Sequence, residues 1–162
     1  MAIKILVTGG TFDKEYDEIA GKLYFKNTHV PEILQLGRSN LVIDVCPLMM
    51  IDSLEMTDID RKQIVEHCTT CAENRIVVTH GTDTMEITAQ VLGKAALNKT
   101  IMLTGAMVPY KFGSSDGLFN LGSALAFVQS LPAGVYVAMN GRYFDWDNVR
   151  KNKASGIFEE VS

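Results

Sequence analysis

Residues 75–104 read RIVVTHGTDTMEITAQVLGKAALNKTIMLT. A short β-branched run, Arg75–Thr79, leads into a glycine turn, His80-Gly81-Thr82-Asp83-Thr84. Apolar residues then recur at helical spacing (Ile87, Val91, Ala95) before a second apolar run, Thr100–Thr104. Strand, helix, strand over roughly thirty residues is the crossover unit that joins two parallel strands. Asp83, followed three residues later by Glu86, reads as a capping box at the start of the helix.

The same alternation extends outward in both directions. Further apolar runs lie at Ile3–Val7, Leu41–Cys46 and Gly134–Met139. Each is nearly continuous, as expected of strands covered on both faces. Between them, Thr57-Asp58-Ile59-Asp60 reads as a second capping box, with Ile64, Val65, Cys68 and Cys71 following at helical spacing. Asp116-Gly117 opens a helix with Leu118, Leu121, Leu125 and Val128 on one face, and Pro31 suits the first turn of a helix that Gly37 stops. The expected fold is α/β: an open, mostly parallel sheet with helices on both faces, a Rossmann- or flavodoxin-like three-layer sandwich. Two segments break the pattern. Residues 10–28 are long for a strand-to-helix connection and read as a lid over the sheet edge. Residues 140–162 lack an apolar stripe and read as a hairpin or an edge cover.

Composition narrows the class. The 162 residues are 47% apolar and 21% charged, with a formal net charge of −4, which fits one folded domain spanning 1–162 and excludes a disordered chain. The acidic balance argues against nucleic acid as a partner. No run approaches the ~20 apolar residues of a membrane-spanning helix, so no membrane partner is expected. The N-terminal apolar run is short and lacks a signal-peptide cleavage site. Cys46, Cys68 and Cys71 make a poor disulfide framework, and the chain reads as cytoplasmic. Cys68 and Cys71 form C-x-x-C, but at the end of a helix and within its apolar stripe, which favours packing over redox or metal chemistry. His29 and His67 read as surface or cap residues.

In an open parallel sheet the ligand crevice lies at the carboxyl ends of the strands. There the chain places Thr8-Gly9-Gly10-Thr11, Met50-Ile51-Asp52-Ser53, His80-Gly81-Thr82-Asp83-Thr84, Gly105-Ala106-Met107 and Asn140-Gly141. Glycines allow tight turning and expose backbone N–H groups to an oxyanion. A neighbouring hydroxyl is a candidate nucleophile. By itself Thr8-Gly9-Gly10-Thr11 reads more readily as a plain glycine turn. Neither dinucleotide nor P-loop fingerprint is present, so nucleotide binding has little support. Asp83 fits either an N-cap or a carboxylate that binds a substrate ammonium group. Thr82 needs a base to become reactive, and a lysine amine can serve.

These segments resemble those of the bacterial-type L-asparaginase/glutaminase family. Thr8-Gly9-Gly10-Thr11 and His80-Gly81-Thr82-Asp83-Thr84-Met85-Glu86 are similar to its two signature motifs. Gly105-Ala106-Met107, Ser114–Leu121 and Asp147-Asn148-Val149-Arg150-Lys151 agree in order, over about residues 3–160. The resemblance implies hydrolysis of the side-chain amide of L-asparagine to L-aspartate and ammonia, with L-glutamine as a second substrate and no metal or cofactor. It implies Thr11 as the nucleophile that forms an acyl-enzyme, with Tyr16 in the lid helping to activate it. Thr82, Asp83 and Lys151 match the family's Thr-Asp-Lys set. Asp83 would hold the substrate ammonium, Ser53 its carboxylate, and the Ala106 carbonyl the amide nitrogen. Gly10, Gly81 and Thr82 would line the pocket and supply N–H groups to the oxyanion.

The chain also departs from the family pattern. Members carry a second, smaller C-terminal domain, which is absent from these 162 residues, and a neighbouring subunit's acidic residue completes each site. Leu54 stands where the family has a glutamine beside the substrate-binding serine. Three readings follow: a short-form asparaginase closed by a homo-oligomer, dimer or tetramer; a truncated or split product; or an amino-acid-binding or regulatory module with weak or no turnover. Retention of Thr11, Thr82, Asp83 and Lys151 favours the first.

Overall fold

Ile76, Val78, Ile101 and Leu103 are fully buried in one core, and Val77 and Met102 in another. This odd–even division is the two-residue period of a strand with both faces covered. The computed structural model describes residues 1–162. In chain order the elements are β1 (Ala2–Gly9), β2 (Lys14–Asp17), β3 (Lys22–Phe25), α1 (Val30–Leu36), β4 (Val42–Ile51), α2 (Asp58–Thr70), β5 (Arg75–Thr79), α3 (Met85–Lys94), β6 (Thr100–Thr104), α4 (Gly117–Ser130), β7 (Gly134–Met139), β8 (Arg142–Asp145), β9 (Arg150–Asn152) and β10 (Ile157–Glu159).

The main sheet has the order β4-β1-β5-β6-β7-β8, with all neighbours parallel except β8, which runs antiparallel to β7. Ile64 and Cys68 of α2 and Met85, Ala89 and Leu92 of α3 fill one core. Ile33 of α1 and Leu121, Ala124, Leu125 and Val128 of α4 fill the other. Each large aliphatic side chain buried this way contributes about 1.5–3 kcal/mol, so the two helical layers hold the sheet from both sides. The sheet order reverses between β1 and β5. That switch point places the turns after β1 and β5 side by side at the carboxyl edge.

Several sequence expectations change. The second parallel strand does not end at Cys46 but runs to Ile51, so Met50 and Ile51 belong to it. It is also an edge strand, paired only with β1, and Val42 is 69% exposed. Pro47 lies within it; a residue with no N–H to donate is tolerated at an edge. The expected capping box at Thr57 forms, with the Thr57 and Asp60 side chains each accepting from the other's amide. The expected box at Asp83 does not: α3 begins at Met85, with Thr84 at the N-cap and no side-chain cap. Its buried stripe is Met85, Thr88, Ala89 and Leu92, while Ile87 is 45% exposed. On α4, Leu118 is 41% exposed and Ala124 takes the buried position.

Residues 10–28 are not an irregular loop. A 3₁₀ turn at Thr11–Asp13 leads into the antiparallel hairpin β2–β3. Asp13 Oδ1 accepts from the His29 amide at 2.8 Å, which closes the base of the hairpin. His29 takes the cap alternative, at the N-cap of α1, and is buried, 7% exposed, rather than a surface residue. The tail does both things expected of it: β8 covers the sheet edge, and β9–β10 form a hairpin.

Candidate active site

Three strand ends meet with no room for a side chain on either of two glycines. Gly10 has φ +73° and ψ −177°, a conformation essentially confined to glycine. A Cβ there would lie 2.5 Å from Gly81 Cα, and a Cβ on Gly81 would lie 2.6 Å from Ser53 Cβ. The turns after β1, β5 and β4 are thus stacked at contact distance, and only glycine at both positions permits it. Gly10 N also donates to Ile51 O at 2.9 Å. Thr11 follows at once and opens the 3₁₀ turn, half-buried.

Lys151, on β9, reaches this cluster from a remote part of the chain. Its Nζ donates to Thr82 Oγ1 at 2.8 Å and to Asp83 Oδ1 at 2.9 Å. Its backbone N–H donates to Glu86 Oε2 at 3.1 Å. The missing capping box is explained here, because both of its carboxylates serve Lys151 instead. Thr82 is 7% exposed, and the side chains of Lys151 and Asp83 are 10% and 39% exposed. The ammonium is enclosed while the carboxylate still faces solvent. Asp83 and Thr82 precede α3 directly, at the positive end of its dipole.

The remaining predicted residues divide. Ser53 is buried beside Gly81, at the start of a 3₁₀ turn. Ala106 is buried, and its turn is braced from behind. Asn120 Nδ2 donates to Gly105 O at 2.9 Å, and the Asp116 carboxylate accepts from the amides of Met107 and Val108 at 2.9–3.0 Å. Tyr16 and Leu54 are not drawn into the cluster. Tyr16 sits on the outer hairpin, 53% exposed, and Leu54 is 68% exposed. The backbone and its hydrogen bonds hold Ser53 inward, and the next side chain in that tight turn points out.

Two further sets of polar contacts surround these residues. Lys14 Nζ donates to Asp52 Oδ2 at 2.6 Å, tying the hairpin to the turn that carries Ser53. The Lys14 ammonium holds the Asp52 carboxyl below its ordinary range. Behind the site, His80 is fully buried; burial pushes its pKa down to about 4, so its ring is neutral. It lies between Gly81 O (Nδ1, 2.8 Å) and Thr88 Oγ1 (Nε2, 2.7 Å). Thr88 in turn meets Arg61 of α2, which is 6% exposed. The signal was present: Arg61 stands three residues before Ile64, on the buried stripe of α2. No group of three or more His, Cys, Asp or Glu side chains is arranged to hold a metal ion. A separate apolar cleft of about 370 Å³ lies between α1 and α4, lined by Ile33, Leu34, Leu118, Leu121 and Leu125. It holds no acid or base to activate its one hydroxyl, Ser39, so the polar cluster is the chemically competent region.

A family model for the asparaginase N-terminal domain matches residues 2–159. The chain belongs to the asparaginase family. It is 32% identical over 169 aligned residues to L-asparaginase 2 of Escherichia coli, covering 96% of this chain and 47% of the relative. It is 45% identical over 82 residues to a glutaminase-asparaginase of Acinetobacter glutaminasificans, covering 48% of this chain and 25% of the relative. Among solved structures it is similar to the thermostable L-asparaginase from Thermococcus kodakarensis, with TM-score 0.85 and 28% identity over 99% of this chain and 51% of that one. It is also similar to a probable cytoplasmic L-asparaginase from Campylobacter jejuni, with TM-score 0.79 and 30% identity over 92% and 49%. The chain spans about half the length of the L-asparaginases it matches over nearly all of its own length. The match confirms the expected family and α/β architecture together.

Proposed function

We propose that residues 1–162 form the catalytic domain of an amidohydrolase that cleaves the side-chain amide of L-asparagine to L-aspartate and ammonia. The observation that carries this reading is the Thr82–Lys151–Asp83 set, held at 2.8 and 2.9 Å beside the stacked Gly10 and Gly81 turns. Asp83 takes the substrate ammonium and Ser53 its carboxylate, which leaves the side-chain amide directed at Thr11. Thr11 Oγ attacks the amide carbon. The oxyanion that forms is met by backbone N–H groups near Gly10 and Thr82. The hydroxyl proton given up by Thr11 is transferred to the amide nitrogen, which the Ala106 carbonyl orients; the C–N bond breaks, ammonia leaves, and an ester to Thr11 remains. Water then attacks the ester. Its proton passes to Thr82 Oγ1, whose own proton goes to the Lys151 amine; the ester C–O bond to Thr11 then breaks, the proton returns through this relay to the Thr11 oxygen, and L-aspartate departs. Each step uses side chains of this chain and water, with no cofactor.

Residues 10–28 act as the lid. The Lys14–Asp52 pair anchors the hairpin at its base, and closure would carry Tyr16 from its exposed position toward Thr11. L-glutamine is the second substrate of this reading, in keeping with the name of the Acinetobacter relative. The acting form is a homo-oligomer, dimer or tetramer, in the cytoplasm; its unbridged cysteines suit a reducing compartment. The exposed Leu54 and Tyr16 favour one alternative, a pocket that binds an amino acid with little turnover.

A coupled ammonia assay with L-asparagine, L-glutamine and D-asparagine, without added metal, separates these readings. The hydrolase releases ammonia from L-asparagine, and Thr11→Val abolishes it while the protein stays folded. A thermal shift with L-aspartate and no turnover selects the binding module. Unchanged turnover in Thr11→Val overturns the acyl-enzyme.

A further inference from the structure

Arg61 is a buried cation whose guanidinium is directed at neutral oxygens. Nε donates to Thr88 Oγ1 at 3.0 Å, Nη2 to Thr84 Oγ1 at 3.0 Å and Nη1 to Met56 O at 3.2 Å. A guanidinium only donates, so each threonine hydroxyl accepts from Arg61 and keeps its own proton for another acceptor. Thr84 Oγ1 donates to Ser53 O at 2.9 Å. Thr88 Oγ1 donates to His80 Nε2 at 2.7 Å, and His80 Nδ1–H donates to Gly81 O at 2.8 Å. The carbonyl at the far end accepts only, which requires the proton on Nδ1. Two directed chains therefore leave one residue. One ends on the backbone of Ser53, the other on the backbone of Gly81 beside Thr82.

We infer that Arg61 is a positioning residue that sets the substrate-carboxylate turn and the Gly81–Thr82 turn in register through these two chains. This deepens the function proposed above and rests on it. Arg61 touches no substrate atom. Its effect is to hold the Ser53 and Thr82 turns at a spacing that neither turn specifies for itself. The division of labour is testable because each chain runs through its own threonine. The Ser53 chain acts on binding and the Gly81 chain on the chemical step. Displacing a reacting group by a fraction of an ångström to an ångström costs up to about a hundredfold in rate.

The experiment compares Thr84→Val, Thr88→Val, Arg61→Met and Arg61→Lys in steady-state asparagine hydrolysis, each checked for folding by circular dichroism. Thr84→Val raises KM about tenfold or more and leaves kcat within a factor of three. Thr88→Val lowers kcat by a similar factor with KM little changed. Arg61→Met does both. Arg61→Lys keeps the charge but loses the fork, and does not restore either constant. Equal effects of the two threonine variants on kcat and KM, or full rescue by Arg61→Lys, overturn the proposal. A second readout needs no turnover. The ¹⁵N spectrum of wild-type His80 shows the neutral ring with the proton on Nδ1, the order that the Gly81 carbonyl imposes. A proton on Nε2 in the wild type overturns the proposal even if the protein hydrolyses asparagine. The Nδ1 form together with an inactive wild type condemns the assigned activity and leaves the two chains standing.

Discussion

Replacing Lys151 with methionine separates chemistry from stability more cleanly than any other change in this site. The methionine stem follows the lysine path into the same enclosed space, where the side chain is 10% exposed, so little packing is lost. The backbone N–H of residue 151 keeps its bond to Glu86. What disappears is the Nζ contact to Thr82 and to Asp83. Asp83 remains 39% exposed, so water takes over most of its solvation, and an ion pair of that kind contributes at most about 1 kcal/mol. For a domain of this size that is a fall in Tm of about 2–4 °C. The catalytic loss is of another order. A positioned acid–base group contributes about 10²–10⁴ in rate, or roughly 3–5 kcal/mol of barrier. Lys151→Met should therefore lose at least a hundredfold in kcat for ammonia release while its melting curve moves by a few degrees. A folded variant within tenfold of wild-type kcat refutes the proton route through Lys151. A drop in Tm beyond about 10 °C, with activity lost in proportion, shows that Lys151 serves only to hold the hairpin.

Gly10→Ala combines a backbone conformation costly for any L side chain, about 1–3 kcal/mol, with a Cβ 2.5 Å from Gly81 Cα, about 1–3 kcal/mol more. Urea unfolding should register a loss of about 2–6 kcal/mol, and a loss below about 1 kcal/mol contradicts the stacked geometry. Asp13 is fully buried, and burial raises its carboxyl above the ordinary 3.8, so the folded chain holds this proton more tightly than the unfolded chain. Its contribution to stability therefore declines as pH rises from 3.8 through the raised value. Asp13→Asn should melt at nearly the same temperature as wild type below that range and progressively higher than wild type above it; a difference that shrinks with rising pH contradicts the assignment. Cys68 is fully buried, with its thiol pushed up to about 12. A disulfide-exchange reagent at neutral pH should modify Cys46 and Cys71 in the native protein before Cys68, and early labelling of Cys68 points to a looser α2.

The β5–α3–β6 unit was legible in residues 75–104 because apolar period and strand length report on burial, and burial on both faces leaves no polar positions to blur the signal. The glycine turns at Gly10 and Gly81 were legible for a similar reason: close backbone approach admits one residue type. The edge position of β4 was harder to see, since an apolar run reads alike at the edge and the centre, and only Pro47 hinted at the difference. The hairpin within residues 10–28 went unseen because its strands are short and hold no fully buried residue, with no buried face to impose alternation.

The site divides in the same way. Local sequence specifies which residues stand at strand ends, because a strand followed by a glycine turn and a helix must deliver them to the carboxyl edge. Distance along the chain hides what meets there. Asp83 and Glu86 have the spacing of a capping box, and nothing nearby reveals that Lys151, more than sixty residues on, claims both. Arg61 lies on the buried stripe of α2, and its partners Thr88 and Thr84 come within reach only when α2 is laid against α3. Hydrogen bonds between remote segments form only once packing has brought their ends within 3 Å. The identities of the catalytic candidates belong to the sequence. Their proton order, charge partners and spacing belong to the folded sheet.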